Sequence, residues 1–442
     1  MSLPGEAGAP ADPLLAECCS ALGPGPGLTT AFVPGRVELF GKHTDYAGGS
    51  SIVLATRQGF RFAARPRSDD HLRIIPAADT SDERTFTPGE RPGLPPGDWL
   101  NYAATTARRL VLNFSDQAEM RGIDIAFASD LPIAAGMSSS SALMVGMFLI
   151  LSRLWRLADT PAWQAELATT ENLVEYLGCV ENGQSFGILS GESGVGTFGG
   201  SEDHAAMMLC RPDRLALCSF APTRLREEIA WPREWACVIA SSGVAAEKTG
   251  ARLADYNRAA LRARRAIELW NAVHASELRH LGDLVRDRGI EECEEIAAFL
   301  AEREQATGDA ETPDLAGRFR QFAREELLHL PAARSALLTA DSGALGRAAD
   351  LSHADAGEGL GTLIPETAAL HDCGRALGAP AVSYFGAGFG GSVWAVLPAG
   401  DADAFAREWL KAYTHKFPER ARQARTLLTR PGAAARVEGE GT

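Results

Sequence analysis

Two stretches carry most of the chemistry available to this sequence. In "PGRVELFGKHTDYAGG", Pro34 to Gly49, the cations Arg36 and Lys42, the imidazole of His43 and the acids Glu38 and Asp45 lie within a few residues of one another. The preceding "TAFVPGRVELFG" reads as two short β runs, broken at Pro34-Gly35 and ended at Gly41, so the polar cluster falls on the loop after a strand. Loops held by a rigid sheet concentrate binding groups. An ordinary solvated turn is the plainer alternative, and this stretch alone leaves both open. In "DLPIAAGMSSSSALMVG", Asp130 to Gly146, a strand ends at Pro132, passes Gly136 and four serines, and enters a helix. Free backbone N–H groups and the positive end of the helix dipole then face one spot, an arrangement that holds phosphate. Serine hydroxyls add donors and can ligate Mg²⁺. A simple N-cap needs one serine, not four. Neither the Walker A spacing nor G-x-G-x-x-G occurs here. "GAGFGG", Gly386 to Gly391, lies between two strand-like segments and suits a tight hairpin near a ligand.

Mixed elements must position these groups. Strand-like "SIVLATRQGFRFAARP", "HLRIIPA" and "GIDIAFASDLP" alternate with helical stretches at Trp99 to Val111 and Ala142 to Leu157. Prolines at 212, 222 and 232 mark a domain boundary near residues 211 to 235. Beyond it, "ACVIASSG" reads as a buried strand and "LADYNRAALRARRAIELWNAVHA" has helical apolar spacing. An antiparallel strand pair with packed helices suits this half. The sequence predicts a flexible leader over 1–25, domains over 26–220 and 221–430, and a flexible tail over 431–442.

The 442 residues, 45% hydrophobic, suffice for two or three cores. A formal charge of −14 argues against a nucleic-acid binder, which needs a basic face. Eight scattered cysteines without a C-x-x-C pair fit a reduced, cytoplasmic protein. The apolar run from Ala142 to Trp155 meets Ser and Arg before reaching the roughly 20 residues a bilayer span requires. It reads as a buried helix. Neither membrane nor nucleic acid is expected as a partner, and nothing demands a second chain, so a monomer is the expectation.

These three segments, in this order, resemble the motifs of the GHMP small-molecule kinases, and "GRVELFGKHTDY" is similar to the galactokinase signature. "DWLNYAA", "DYNRA" and "LSHADAGEGLGTLIPE" also look like galactokinase segments. The resemblance implies an α+β fold: an N-terminal ribosomal-S5-like domain, a C-terminal ferredoxin-like domain, and the active site between them. It further implies an ATP- and Mg²⁺-dependent kinase acting on the anomeric hydroxyl of galactose or a C6-altered hexose. A kinase for a sugar-like cyclitol and a non-catalytic sugar and ATP sensor are the alternatives.

By the same resemblance Arg36 is the cation near the transferring phosphoryl group, and His43, Asp45 and Tyr256 hold the sugar. A polyhydroxylated substrate needs many converging donors and acceptors, which a strand-end loop presents together. Trp99 is implied as an aromatic face for adenine, and Gly136, Ser138, Ser139, Ser140, Ser141 and Gly388 as nucleotide contacts. Glu181 with Ser141, or Ser140, is implied to ligate Mg²⁺. The family's "G-I-M-D-Q" is absent. Asp203 is the best match for its catalytic acid, with His204 in place of the glutamine, "AAMMLC" as a following strand and Glu202 as rival. The other departure is Lys42, where galactokinases carry a glutamate that accepts a hydrogen bond from the sugar's C6 hydroxyl. Lysine only donates. Lys42 is therefore expected either to read an altered exocyclic group, such as the carboxylate of a uronic acid, or to turn to solvent or to Glu38.

Overall fold

The computed structural model describes residues 12–95, 97–132, 135–245, 253–307 and 312–439. The first eleven residues of the expected leader, the last three of the expected tail, and Ile133 and Ala134 before the serine loop lie outside them. Twelve strands are present among the described residues: β1 Thr29–Phe40, β2 Ser50–Pro66, β3 Leu72–Pro76, β4 Arg84–Phe86, β5 Ile123–Ser129, β6 Arg214–Ser219, β7 Arg224–Ala230, β8 Trp235–Ser241, β9 Ala381–Tyr384, β10 Ser392–Pro398, β11 Arg425–Thr429 and β12 Arg436–Gly439. One sheet runs β12-β1-β2-β5-β3-β4, with β6 also pairing β2 and carrying β7. The other runs β11-β8-β10-β9. Among the described strands only β3 and β5 pair in parallel. The α+β expectation holds.

β1 is one continuous strand and not two. Pro34 cannot donate to the β2 ladder, and the register shifts between Pro34 and Arg36 absorb that break as a bulge. Gly59 sits opposite Pro34, where an added Cβ would lie 2.2 Å from the Val33 carbonyl oxygen. The Arg36 amide donates instead to the Met137 carbonyl at 3.3 Å. The bulge thereby ties the strand to the serine loop. Past it, alternation sends Val37 and Leu39 into the core, while Arg36 and Glu38 share the opposite face.

The core is continuous between the sheets: Leu39, Leu54 and Phe62 of the first pack in one cluster with Ile239, Trp394 and Val396 of the second. The Ser139–Leu154 helix is buried on most of its surface in this cluster. A separate apolar cluster joins the Leu253–His274, Ile290–Thr307 and Leu315–Arg324 helices. The last of these passes through a π-helical turn, Glu325–His329, into Leu330–Leu338.

Three expectations are corrected. The leader contains a helix, Pro13–Leu22, whose start is fixed by Asp12 accepting from the Leu14 and Leu15 amides and by proline at its first position. It buries Cys18 against β2 and β5. The tail is not free either, because β12 adds antiparallel to β1. Third, β7 pairs with β6 in the first sheet, so the chain leaves that sheet after Ala230 and not at residue 220.

Candidate active site

Arg36, held by the bulge, is 2% exposed. Its Nε donates to Asp203 Oδ1 at 2.7 Å and its Nη1 to the Gly136 carbonyl at 2.5 Å. Glu202 lies at 4.0 Å from the same guanidinium. Burial works against the Arg36 charge, but Asp203, Glu202 and Glu38 override it and raise its pKa. Both acids occupy the first turn of the Glu202–Leu209 helix, where the dipole favours carboxylates. The "AAMMLC" strand is thus a helix. A short apolar run buried on all sides has no periodicity to distinguish the two.

From Asp203 a chain of oxygens continues inward. Ser141 Oγ donates toward Asp203 Oδ2 at 3.2 Å and Glu181 Oε2 at 3.0 Å. Glu181 comes from the last turns of the Thr170–Asn182 helix, which Gly183 closes in the left-handed conformation (φ +80°). Ser138 is left-handed at the mouth of the serine helix, and its buried hydroxyl has no hydrogen-bond partner among the described residues. Ser139 and Ser140 form the first helical turn.

The loop after β1 closes the other side. His43 adopts a left-handed backbone (φ +58°) that strains a non-glycine residue. It is fixed by Nδ1 to the Tyr46 hydroxyl at 2.9 Å, Nε2 to the Ala387 carbonyl at 3.3 Å, and its own carbonyl accepting from Arg318 at 2.7 Å. Asp45 Oδ2 accepts from the Glu202 amide at 3.2 Å, which links the loop to the acidic helix. Tyr256 approaches from the Leu253–His274 helix, its ring centroid 6.2 Å from that of His43. Arg36, His43, Asp45, Glu181, Asp203 and Tyr256 all line one pocket.

The glycine loop between β9 and β10 is a hairpin, as its spacing implied. Its Gly386 lines the pocket, and an added Cβ there would lie 3.1 Å from the Gly136 carbonyl and 3.2 Å from Arg36. Gly388 (φ +75°) instead turns against Thr362 and is not among the pocket lining. Trp99 donates its indole N–H to Asp82 at 2.8 Å and packs edge-on against Phe127. It too stands apart from this pocket.

Lys42 departs furthest from expectation. It is 0% exposed and does not line the pocket. Its Nζ donates to Ser352 Oγ at 3.1 Å and lies over the Phe40 and Tyr384 rings. Ser352 donates to Glu325 Oε2, whose Oε1 accepts from the Gly41 amide. The ammonium points behind the loop, neither into the pocket nor to solvent.

Sequence reading missed Asn182, Gly199 and Gly200, which line the pocket from the segment before the acidic helix. Glu38, offered only as a partner for Lys42, and Glu202, the rival acid, face the pocket too. Burial pushes Glu38 up to about 7; Lys42 and Arg36 pull it back, and Glu325 and Asp45 add to it. Glu202 is driven well above the ordinary carboxylate range by burial first, then by Glu38 and Asp45, against Arg36. The two-residue step from Arg36 along a strand was a signal for Glu38.

The chain resembles known proteins over most of its length. Residues 23–66 match the galactokinase galactose-binding signature, 101–187 the GHMP kinase N-terminal domain and 333–415 the GHMP kinase C-terminal domain. The chain is 28% identical over 398 residues to the galactokinase of Chloroflexus aurantiacus, covering 88% of each protein. It is also 28% identical over 387 residues to that of a Roseiflexus species, covering 86% of each. Its fold superposes on Lactococcus lactis galactokinase complexed with galactose with a TM-score of 0.74 at 19% identity, over 94% of this chain and 97% of that one. Methanococcus jannaschii mevalonate kinase follows the fold more loosely, with a TM-score of 0.54 at 13% identity over 92% and 99% of the two chains.

Proposed function

Because the chain belongs to the galactokinase family of the GHMP kinases, and is thus a phosphotransferase, we propose that it transfers the ATP γ-phosphoryl group to the anomeric hydroxyl of galactose or a closely related hexose. The observation that carries this reading is the run of contacts from Arg36 through Asp203 and Ser141 to Glu181, at one side of a pocket whose other side is the His43–Asp45 loop. Phosphoryl transfer asks a protein mainly for positioning and charge neutralisation. Asp203 accepts or orients the hydroxyl proton, and Arg36, hydrogen-bonded to that carboxylate, faces the phosphoryl group. His43, Asp45 and Tyr256 hold the sugar. Gly136 and the serines receive the nucleotide phosphates, for which the unpartnered Ser138 hydroxyl is a ready donor.

The donor set fits Mg²⁺. Among the described residues no group of three or more His, Cys, Asp or Glu is placed to hold a metal alone. Hard oxygens from Ser141 and Glu181 next to a phosphate loop suit an ion that takes one or two protein ligands and completes its shell with nucleotide phosphates and water. When bound it would neutralise charge on those phosphates.

An assay of ADP release across a sugar panel, with the phosphorylated position read by ³¹P NMR, tests the reading. The expected result is a hexose 1-phosphate. Asp203→Asn is expected to lower turnover by roughly 10²- to 10⁴-fold while sugar and nucleotide still bind. Binding of both ligands to the wild type without any ADP release would overturn the proposal.

A further inference from the structure

Glu38 lines the sugar side of the pocket, yet the transfer outlined above gives it no task. Its side chain is held in place: β1 fixes it two residues from Arg36, on the same strand face. It is 2% exposed, and its Oε1 is buried with no hydrogen-bond partner among the described residues. A buried acceptor left unmade is costly, and a ligand that supplies a donor removes the cost. The nearby cation that would otherwise invite an anionic ligand, Lys42, is committed behind the loop to Ser352 and two aromatic rings. What remains facing the pocket around Glu38 is acidic: Asp45, Glu202 and Asp203, with Arg36 already paired to Asp203.

We propose that Glu38 is a specificity-determining residue that accepts a hydrogen bond from a donor group on the sugar. The substrate class is then neutral or amino hexoses, and sugar acids are excluded. This rests on the sugar-kinase reading above and narrows it. A uronic acid, conceivable while Lys42 was expected to face the substrate, would set its carboxylate against Glu38 instead. A hydroxyl and an ammonium both satisfy the acceptor. They differ in that the ammonium also compensates the charge.

The test uses the full chain and three probes, galactose, galactosamine and galacturonate, with dissociation constants from calorimetry and kcat/KM from ADP release. The wild type is expected to bind one of the first two at least tenfold more tightly than galacturonate. Glu38→Leu should weaken the favoured sugar by about ten- to a hundredfold, the value of one charge-assisted hydrogen bond, with nucleotide affinity unchanged. Glu38→Gln, which keeps an acceptor and the shape, should retain most galactose affinity, remove any preference for galactosamine, and relax the rejection of galacturonate. It also serves if the leucine variant does not fold. Galacturonate bound as tightly as galactose by the wild type, or an unmoved ranking in folded Glu38 variants that still phosphorylate sugar, overturns the role of Glu38 alone. If no sugar of the panel is bound or phosphorylated, the kinase reading itself falls, and this proposal with it.

Discussion

Lys42 acts on Glu38 through space, and only the acid meets the pocket, which orders what substitution at 42 should do. Lys42→Met keeps the stem's packing against Phe40 and Tyr384 but removes the opposing charge that holds Glu38 down. The Glu38 carboxyl should then titrate higher than about 7, which the carboxylate infrared band followed against pH reports directly. Lys42→Glu instead places another buried acid beside Glu38 and Glu325 and removes the lysine charge that opposes Glu38. An uncompensated buried charge costs roughly 3–5 kcal/mol, so its urea midpoint should fall well below that of the methionine variant. Equal midpoints would count against the buried placement of Lys42. The family resemblance picked out Arg36, His43, Asp45, Glu181, Asp203 and Tyr256, and the fold brings all six to one pocket. The direction of Lys42 was not, because its partner Ser352 lies 310 positions away and no local pattern announces it.

The π-helical turn at Glu325–His329 puts two consecutive glutamates on the hairpin between β1 and β2. Glu325 accepts from the Gly41 amide and Glu326 from the Ser50 amide. Glu326 is partly buried, and burial lifts its pKa to about 7 despite the Ser50 bonds, with Glu325 adding to the rise. The sign follows from linkage. Between its ordinary 4.5 and about 7 the folded chain holds a proton on Glu326 that the unfolded chain releases, so stability present below that window is lost as pH rises through it. Glu326→Gln keeps a carbonyl acceptor for Ser50 and cannot titrate. The drop in urea midpoint from pH 4.5 to pH 8 should therefore be smaller in the variant, with a residue of the slope left to Glu38; an unchanged drop would refute the assignment. At this scale, long strands with alternating or continuous apolar runs, such as β2 and β8, were readable from the sequence. β12 was not, since "RVEG" has little apolar content and becomes a strand only by pairing with the edge of β1. The Pro13–Leu22 helix, in contrast, did carry its signals in Asp12 and Pro13.

Across the whole molecule, the pocket wall that contains Gly199 and Gly200 is gripped from both halves of the chain. Asn182, at the end of a helix packed on the first sheet, exchanges hydrogen bonds with Gly199 through its amide group. Asn257, in the Leu253–His274 helix of the second half, accepts from the Phe198 amide at 2.9 Å and donates to the Gly196 carbonyl at 3.0 Å. The order of motifs along the chain told where the site would form, but this glycine-rich wall has no periodic pattern, and its shape depends on two asparagines brought together by the fold. Asn257→Ala leaves the Phe198 N–H and the Gly196 carbonyl without partners. The cost is about 1–3 kcal/mol for each group to the extent that water cannot replace the lost bond. Phe198 is itself 37% exposed, so water reaches this segment readily and the wall should loosen without global unfolding. The loss is thus expected in sugar binding and not in the chemical step: KM for the sugar rises about tenfold or more, kcat changes much less, and amide exchange quickens across residues 194–200 while the core strands β2 and β8 exchange as before. A fall in kcat at unchanged KM, or exchange that quickens equally in β8, would mean that Asn257 supports the fold at large and that the two-sided grip has no special part in holding the sugar.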